Sequence, residues 1–346
     1  MVTTLFHRWE RRLAAVSEGD RVVRPFEWGL DWIPGNGHDP DTAADVVIHR
    51  WVDQVLTDSA RFFDATSTTA YQFVSNGWDG DGLLTFPSAL ETPDPINNVV
   101  HARYIPARRF RGRTQKRAVL VLPQWNSDDN GHVGLSKILA HAGISALRLS
   151  LPYHDRRMPP ELSRADYIVS SNVVRTLQVC RQAVLDARRA IAWLADRGYE
   201  RIGILGTSLG SCLAMLTSAH EPLIRAQALN HISPYFADVV WEGLSTAHVR
   251  AGLEGRIDLA RLRSLWLPIS PQHYLERVRT KRTLLVYAKY DLTFPVPLSM
   301  ALVNEFRNRE IPHEVAVLPC GHYSTGKVPF KFVDAWVLTR FLARNL

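Results

Sequence analysis

Cysteine is scarce in this chain of 346 residues, which contains three, at Cys180, Cys212 and Cys320. Their spacing fits neither a disulfide framework nor a metal site, so we expect no metal. Long apolar runs are missing too, since none approaches the ~20 residues needed to cross a bilayer. Residues 1–10 also lack the apolar core of a signal peptide. We therefore expect a cytoplasmic protein without a membrane span.

Acidic residues are outnumbered, with 34 Asp and Glu against 41 Lys and Arg, which gives a net charge of +7. A basic surplus raises the question of nucleic acid. The densest basic run, 108–117, lies between predicted strands at 98–105 and 118–122, where a solvent-exposed hairpin turn explains it. No helix-turn-helix, zinc-finger or RNA-binding signature accompanies it. We expect no nucleic-acid partner; nucleic-acid binding by this run and a bias towards anionic substrates or surfaces stay open as alternatives.

A candidate nucleophile stands at Ser208, inside the pentapeptide Gly-Thr-Ser-Leu-Gly at 206–210. The apolar run at 201–205 predicts a short strand before it, and the run at 212–216 predicts a helix after it. A sharp strand-to-helix turn holds the serine clear of the backbone, and the two outer glycines leave room for that turn. The context, more than the pentapeptide itself, indicates a nucleophilic serine.

A nucleophilic serine needs a base, and the base needs an acid to orient it. The segment 283–288 predicts a buried parallel strand, and Asp291 follows it. The segment 313–319 predicts the last strand, and His322 follows that. Because the carboxyl ends of parallel strands meet at the ligand-binding edge of a sheet, we expect both side chains near the serine.

Other acids could take the orienting role. Asp238 and Glu242 follow the preceding predicted strand, at 226–229, and are the main alternatives to Asp291. Asp155 lies past an earlier strand, far from the usual position of the acid, and ranks last.

With these motifs in place, the chain resembles the alpha/beta-hydrolase superfamily over residues 83–346. The resemblance rests on the serine pentapeptide and on the Tyr-Asp and Gly-His pairs that end in Asp291 and His322. It implies the alpha/beta-hydrolase fold, a mostly parallel central sheet flanked by helices. It also implies Ser208 as nucleophile, Asp291 as acid and His322 as general base, without a cofactor.

The chain departs from this family after the predicted strand at 118–122. Many members carry His-Gly there, and a backbone N–H in the same loop completes the oxyanion hole. Here Pro123 and Gln124 replace that pair, and Trp125 takes the oxyanion position. We therefore expect the oxyanion to be bound by the backbone N–H groups of Leu209 and Trp125.

Residues 1–80 precede the segment that resembles a hydrolase, and their patterns predict helices at 4–15 and 43–63. Because several exposed tryptophans would be an aggregation hazard, we expect this N-terminal extension to pack on the core. The core itself is expected at 81–229 and 283–346.

The insertion between the two parts of the core, 230–282, is longer than a crossover between two strands requires. Its large apolar side chains predict a helical cap that excludes water and lines a substrate pocket. We expect Trp241 and Trp266 to contribute to that pocket, together with Gln124 and Tyr323 from the core. A peripheral packing helix or an oligomer contact is the alternative.

The sequence thus predicts a serine esterase that cleaves a small-molecule carboxylic ester, with an apolar acyl or alcohol part, through an acyl-enzyme on Ser208. Acyl transfer and cleavage of amides or peptides would use the same residues and stay open. A non-catalytic scaffold that binds a ligand or partner is a further alternative, against which an intact triad argues. A homo-oligomer is compatible with the sequence.

Overall fold

A computed structural model describes residues 2–16, 19–35, 41–76, 80–108 and 116–346. Most of the basic run predicted as a hairpin turn, 109–115, lies outside the described residues. No helix in the described ranges is both long enough and apolar enough to cross a membrane.

The centre of the molecule is a mixed sheet that, within the described ranges, has nine strands in the order β1-β2-β3-β5-β4-β6-β7-β8-β9. The strands are Gln72–Ser75 (β1), Gly82–Pro87 (β2), Val99–Ile105 (β3), Arg117–Leu122 (β4), Ser145–Leu149 (β5), Arg201–Thr207 (β6), Ile224–Asn230 (β7), Arg282–Ala288 (β8) and Glu314–Leu318 (β9). Strands β4 to β9 run parallel, whereas β1, β2 and β3 pair antiparallel with their neighbours. The predicted mostly parallel sheet is therefore confirmed.

Helices flank both faces of the sheet. They are Val2–Ala15 (α1), Ala44–Thr57 (α2), Ser59–Phe62 (α3), Val133–His141 (α4), Val173–Asp196 (α5), Leu209–His220 (α6), Phe236–Glu242 (α7), Ala247–Leu253 (α8), Leu259–Leu265 (α9), Val296–Asn308 (α10) and Phe330–Asn345 (α11). The insertion thus holds α7, α8 and α9, and the N-terminal extension holds α1, α2 and α3.

Strand β4 illustrates how the sheet separates two cores. Successive side chains of a strand point to opposite faces. Leu120 and Leu122 pack in a core shared with α5 and α6, while Val119 and Val121 pack in a second core shared with α4 and α11. A strand covered on both faces reads as a continuous apolar run, which is why β4 and β5 could be recognised from the sequence.

The N-terminal extension is not purely helical. Its last part forms β1, which pairs with β2 from Gln72 opposite Thr85 to Ser75 opposite Gly82 and becomes the edge of the sheet. The extension therefore continues the sheet as well as packing on it, and the sheet begins before the boundary predicted at residue 80.

Candidate active site

The turn that carries Ser208 is tight and strained. Ser208 has φ 57° and ψ −122°, a backbone conformation that side chains other than glycine rarely adopt. A Cβ at Gly206 would lie 2.1 Å from the carbonyl oxygen of Gly210, and one at Gly210 would lie 2.3 Å from that of Leu122. The backbone N–H of Ser208 is held by the carbonyl of Asn230 at 2.8 Å. Both glycines are thus required by close backbone contacts, as expected for a nucleophile elbow.

Asp291 is buried just beyond β8 and receives several hydrogen bonds. Its Oδ2 lies 3.0 Å from Nδ1 of His322, and its Oδ1 accepts the backbone N–H groups of Thr293 and Phe294, both at 2.7 Å. Burial by itself would raise the pKa of Asp291, but the neighbouring histidines His322 and His231 outweigh it and hold the pKa well below its usual range. Asp291 is therefore a fixed carboxylate.

His322 lies in the loop after β9, with its ring stacked on Phe294 at 5.6 Å and an interplanar angle of 9°. Burial alone would lower the pKa of His322. The charge of Asp291, the hydrogen bond to it and the charge of Glu10 outweigh burial, so that the pKa is raised. An imidazole in this setting is well suited to accept a proton and to be stabilised once charged.

Ser208 and His322 line the same cavity, which has a volume of about 690 Å³. Most of its wall is apolar and is supplied by Leu135, Val169, Leu209, Phe236, Val240 and Phe294. This size and character suit a small ligand with an apolar part.

The loop after β4 has a defined shape although it lacks the family's glycine. The indole N–H of Trp125 donates to the carbonyl of Ala165 at 2.8 Å, and the backbone N–H of Asn126 donates to Nε2 of His154 at 3.0 Å. Asn126 itself adopts φ 59°, a left-handed conformation that asparagine tolerates better than most residues. Trp125, Gln124 and Leu209 all line the cavity.

His231 is a further member of the cluster and was missed by the sequence analysis. Its Nδ1 lies 2.8 Å from Oδ2 of Asp291, the atom that also contacts His322, and the two imidazole rings are 4.6 Å apart. His231 directly follows β7 with φ 59°, and its backbone N–H is fixed by the carbonyl of Val286. Its position directly after a parallel strand is the sequence signal that marks it.

The three side chains His231, Asp291 and His322 offer ligand atoms within 4.8 Å of one another, a grouping that could also hold a metal ion. Burial and the charge of His322 lower the pKa of His231, which favours its neutral form. A neutral ring can donate its Nδ1–H to Asp291, so hydrogen bonds to one carboxylate account for the whole arrangement.

Glu10 of the N-terminal helix α1 holds the loop that carries His322. It is fully buried, and its two oxygens accept the backbone N–H groups of Tyr323 at 2.8 Å and Ser324 at 2.9 Å. A Cβ at Gly321 would lie 2.3 Å from the carboxyl carbon of Glu10, so glycine is needed for this approach. No local pattern in the sequence pairs α1 with this loop.

A second contact joins α1 to the loop of the acid. Phe6 stacks on Tyr290, the residue before Asp291, with ring centroids 4.3 Å apart and an interplanar angle of 10°. One face of α1 therefore touches the residues beside both Asp291 and His322.

The predicted pocket residues divide into two groups. Gln124 and Tyr323 line the cavity, whereas Trp241 and Trp266 are not among its lining residues. Trp266 is fully buried instead, with its indole N–H donating to the carbonyl of Val173 at 2.9 Å. Trp266 thus turns towards α5, and the ring of Trp241 packs beneath the guanidinium of Arg250, at a distance of 5.4 Å.

The competing acids are engaged elsewhere. Asp238 is buried and pairs with Arg263, whose Nη2 lies 2.9 Å from Oδ2. Glu242 is exposed at the end of α7. Asp155 lies 2.9 Å from Nη1 of Arg148. The hydrogen bond to His322 belongs to Asp291.

Another carboxyl group, Asp334 of α11, also lines the cavity. Asn230 donates its side-chain N–H groups to both oxygens of Asp334, at 3.1 and 3.2 Å. Burial raises the pKa of Asp334 to about 7, so this group is only partly charged near neutral pH.

The strand order, the elbow after β6 and the groups after β8 and β9 together define the alpha/beta-hydrolase fold. The predicted fold is confirmed by solved structures that are similar to this chain. Acetyl xylan esterase from Paenibacillus sp. R4 matches with a TM-score of 0.61 and 14% identity, over 92% of this chain and 98% of that one. Acetyl xylan esterase 1 from Thermoanaerobacterium sp. JW/SL YS485 has a TM-score of 0.59 and 13% identity, over 95% and 98%.

Acylaminoacyl peptidase from Pyrococcus horikoshii matches with a TM-score of 0.58 and 13% identity, over 81% of this chain. The chain spans only 42% of that peptidase. A scan of protein-family models and a search of curated proteins return no match. At such identities the likeness extends to the fold, and the activity must be argued from the site.

Proposed function

We propose that this protein is a serine hydrolase that cleaves carboxylic esters through an acyl-enzyme on Ser208. The observation that carries the proposal is the 3.0 Å contact between His322 Nδ1 and Asp291 Oδ2, at the wall of the cavity that Ser208 also lines. A serine on a strained elbow, a base and an orienting acid are the parts that acyl transfer requires.

The reaction begins when Ser208 Oγ attacks the ester carbonyl and His322 Nε2 takes the serine proton. Asp291 accepts the hydrogen bond from Nδ1 and stabilises the imidazolium as it forms. The backbone N–H groups of Leu209 and Trp125 bind the oxyanion of the tetrahedral intermediate. His322 then protonates the leaving alcohol, and a water activated by the same ring releases the acid.

His231 supports this cycle by donating a second hydrogen bond to Asp291 Oδ2. With Thr293 and Phe294 on the other oxygen, the carboxylate cannot rotate away from His322 without losing several bonds. Hydrogen bonds to a charged group are typically worth about 1.5–3 kcal/mol each. The acid is therefore pre-organised before substrate binds.

The apolar wall of the cavity favours an ester with an apolar acyl or alcohol part. Acyl transfer to an alcohol and amide cleavage would proceed through the same acyl-enzyme. Product analysis with a competing alcohol, and rates on matched esters and amides, separate the three activities.

The decisive experiment compares the wild type with Ser208→Ala on p-nitrophenyl esters of increasing acyl length. We expect loss of hydrolysis, on the order of 10⁶-fold in the analogous protease case, with the fold retained. A fluorophosphonate probe should label Ser208 in the wild type. Ser218→Ala, on the same helix α6, is the matched control and should retain labelling and rate. Full activity of Ser208→Ala would refute the nucleophile.

A further inference from the structure

The cavity opens to solvent on one side of the molecule. Its exposed lining residues come from α4, from α11 and from the segment before α11, and they are Gly134, Ile138, Gly326, Lys331 and Phe332. The lining residues supplied by α7, such as Phe236 and Val240, are buried. Since α11 packs beside α4, the mouth lies between these two helices.

Large apolar side chains are exposed around this mouth. The mouth patch consists of Ile138, Val328, Phe332, Val333 and Trp336, which are exposed by 39%, 63%, 59%, 40% and 58% respectively. Single exposed apolar residues are ordinary, but a cluster at the entrance of a cavity marks an interaction site. Ile138 and Phe332 belong to both the patch and the cavity wall, so the two surfaces are continuous.

Basic residues accompany the mouth patch. Lys331 lies over the ring of Phe332 at 5.1 Å, and Arg340 lies over that of Trp336 at 5.0 Å. Lys137 on α4 and Lys327 in the segment before α11 are also exposed. The single acid of α11, Asp334, is bound by Asn230 inside the cavity wall. The patch therefore combines apolar side chains with positive charge.

We propose that this face docks on an anionic lipid surface and that the enzyme draws its substrate, a lipid-like ester, from that surface; the substrate half rests on the proposed function. Aromatic side chains with flanking Lys and Arg suit the boundary between lipid headgroups and acyl chains. A second copy of this chain is a less favourable partner for the mouth patch than an anionic lipid surface. A two-fold contact would set the basic residues against one another and would close the mouth.

Docking is tested without catalysis, by flotation of the Ser208→Ala protein with vesicles. We expect binding to phosphatidylcholine vesicles that contain phosphatidylglycerol, weaker binding to pure phosphatidylcholine, and weakening by salt. Each basic residue near an anionic surface contributes about fivefold in affinity. Lys327→Glu with Arg340→Glu should therefore lower binding by at least about 25-fold. Val328→Ser with Trp336→Ser should lower it on both vesicle types.

The matched control is Met300→Ser with Arg307→Glu, an exposed apolar and basic pair on α10, which packs on the opposite face of the sheet from α4 and α11. It should bind like its parent. Equal binding of the control and the patch variants, or no binding to anionic vesicles, would overturn the docking proposal. So would a dimer whose dissociation in light scattering follows the patch substitutions.

The proposal that the substrate is a lipid-like ester is tested in the active protein. Rates are compared on a soluble acetate ester and on a long-chain ester embedded in vesicles. The Val328→Ser, Trp336→Ser variant should keep its rate on the soluble ester and lose at least about tenfold on the embedded one, in line with its lost binding. An equal change on both substrates would overturn the substrate class. Absence of hydrolysis in the wild type would instead refute the proposed function, and the flotation result would stand.

Discussion

The N-terminal helix α1 and the insertion at 230–282 both lie outside the segments that carry Ser208, Asp291 and His322, yet they reach the site in opposite ways. Sequence analysis predicts only packing for the first, whereas α1 places Glu10 against the loop of His322. It predicts pocket tryptophans for the second, whereas the insertion lines the cavity with other residues, among them His231 and Val240.

Buried polar side chains and large apolar side chains differ in how narrowly they fix their partners in the fold. A buried carboxylate such as Glu10 must find donors, so its location identifies a specific partner. A large apolar side chain such as Trp266 is satisfied by any dense apolar surroundings and one bond for its indole N–H. Buried polar groups therefore mark contacts to the site more sharply than tryptophans do.

The largest loss of activity is expected for the residue that orients His322, and it shows whether this acid is Asp291 or a residue of the insertion. Asp291→Asn should lower kcat/KM by about 10⁴-fold, because an amide no longer holds the histidine in the base tautomer. Asp238→Asn, in the insertion, should leave turnover of short esters nearly unchanged since Asp238 pairs with Arg263. If the Asp238 variant were inactive and the Asp291 variant active, the orienting acid would be Asp238 of the insertion.

The next prediction tests whether Glu10 of α1 influences the activity of His322. Glu10→Ala removes two charge-assisted hydrogen bonds, each worth about 1.5–3 kcal/mol, and should lower kcat/KM by about 100-fold. Glu10→Gln keeps the shape but removes the charge that helps to raise the pKa of His322. The pKa of His322 should then fall, and the acid limb of the pH profile should move to lower pH, because the ring stays neutral further into acid.

Glu27→Gln is the control for this experiment, because Glu27 lies in the same extension and bonds Asn172 rather than the histidine loop. Glu27→Gln should not shift the acid limb of the pH profile. If Glu10→Gln lowered the rate without moving that limb, Glu10 would act through stability alone.

A smaller effect is expected at His231, the insertion's contact with the acid. His231→Ala removes one hydrogen bond to a carboxylate that keeps its other donors, so kcat should fall by about tenfold with KM little changed. His231→Gln, whose amide can still donate, should recover part of the loss. Equal rates for the wild type and both variants would remove His231 from the site.

The smallest change in activity is expected within the insertion, where Val240 lines the cavity and Trp241 packs outside it. Val240→Ala enlarges the cavity, and the lost contact should lie at the lower end of the range of roughly 1–3 kcal/mol, about 1 kcal/mol, so rates on neighbouring acyl lengths should change by about fivefold relative to one another. Trp241→Ala should leave those ratios unchanged and lower only the melting temperature. If Trp241→Ala changed the ratios of the rates on neighbouring acyl lengths, Trp241 would contribute to the substrate pocket.

Local patterns in the sequence were sufficient for the fold and for the order of the main side chains. Continuous apolar runs revealed β4 to β8 because these strands are buried on both faces. The glycines at 206 and 210 revealed the elbow, since a Cβ at either would meet backbone. Asp291 and His322 could be named because each follows its own strand.

Neighbouring residues were therefore enough to predict the sheet, the elbow and three residues at one edge of the sheet. No local pattern predicts three other features of the fold: that Glu10 meets a loop more than 300 positions away, that Trp266 faces α5 and that the mouth opens between α4 and α11. The reason is physical: strand burial and tight turns are written in neighbouring residues, whereas these contacts depend on how separate elements pack.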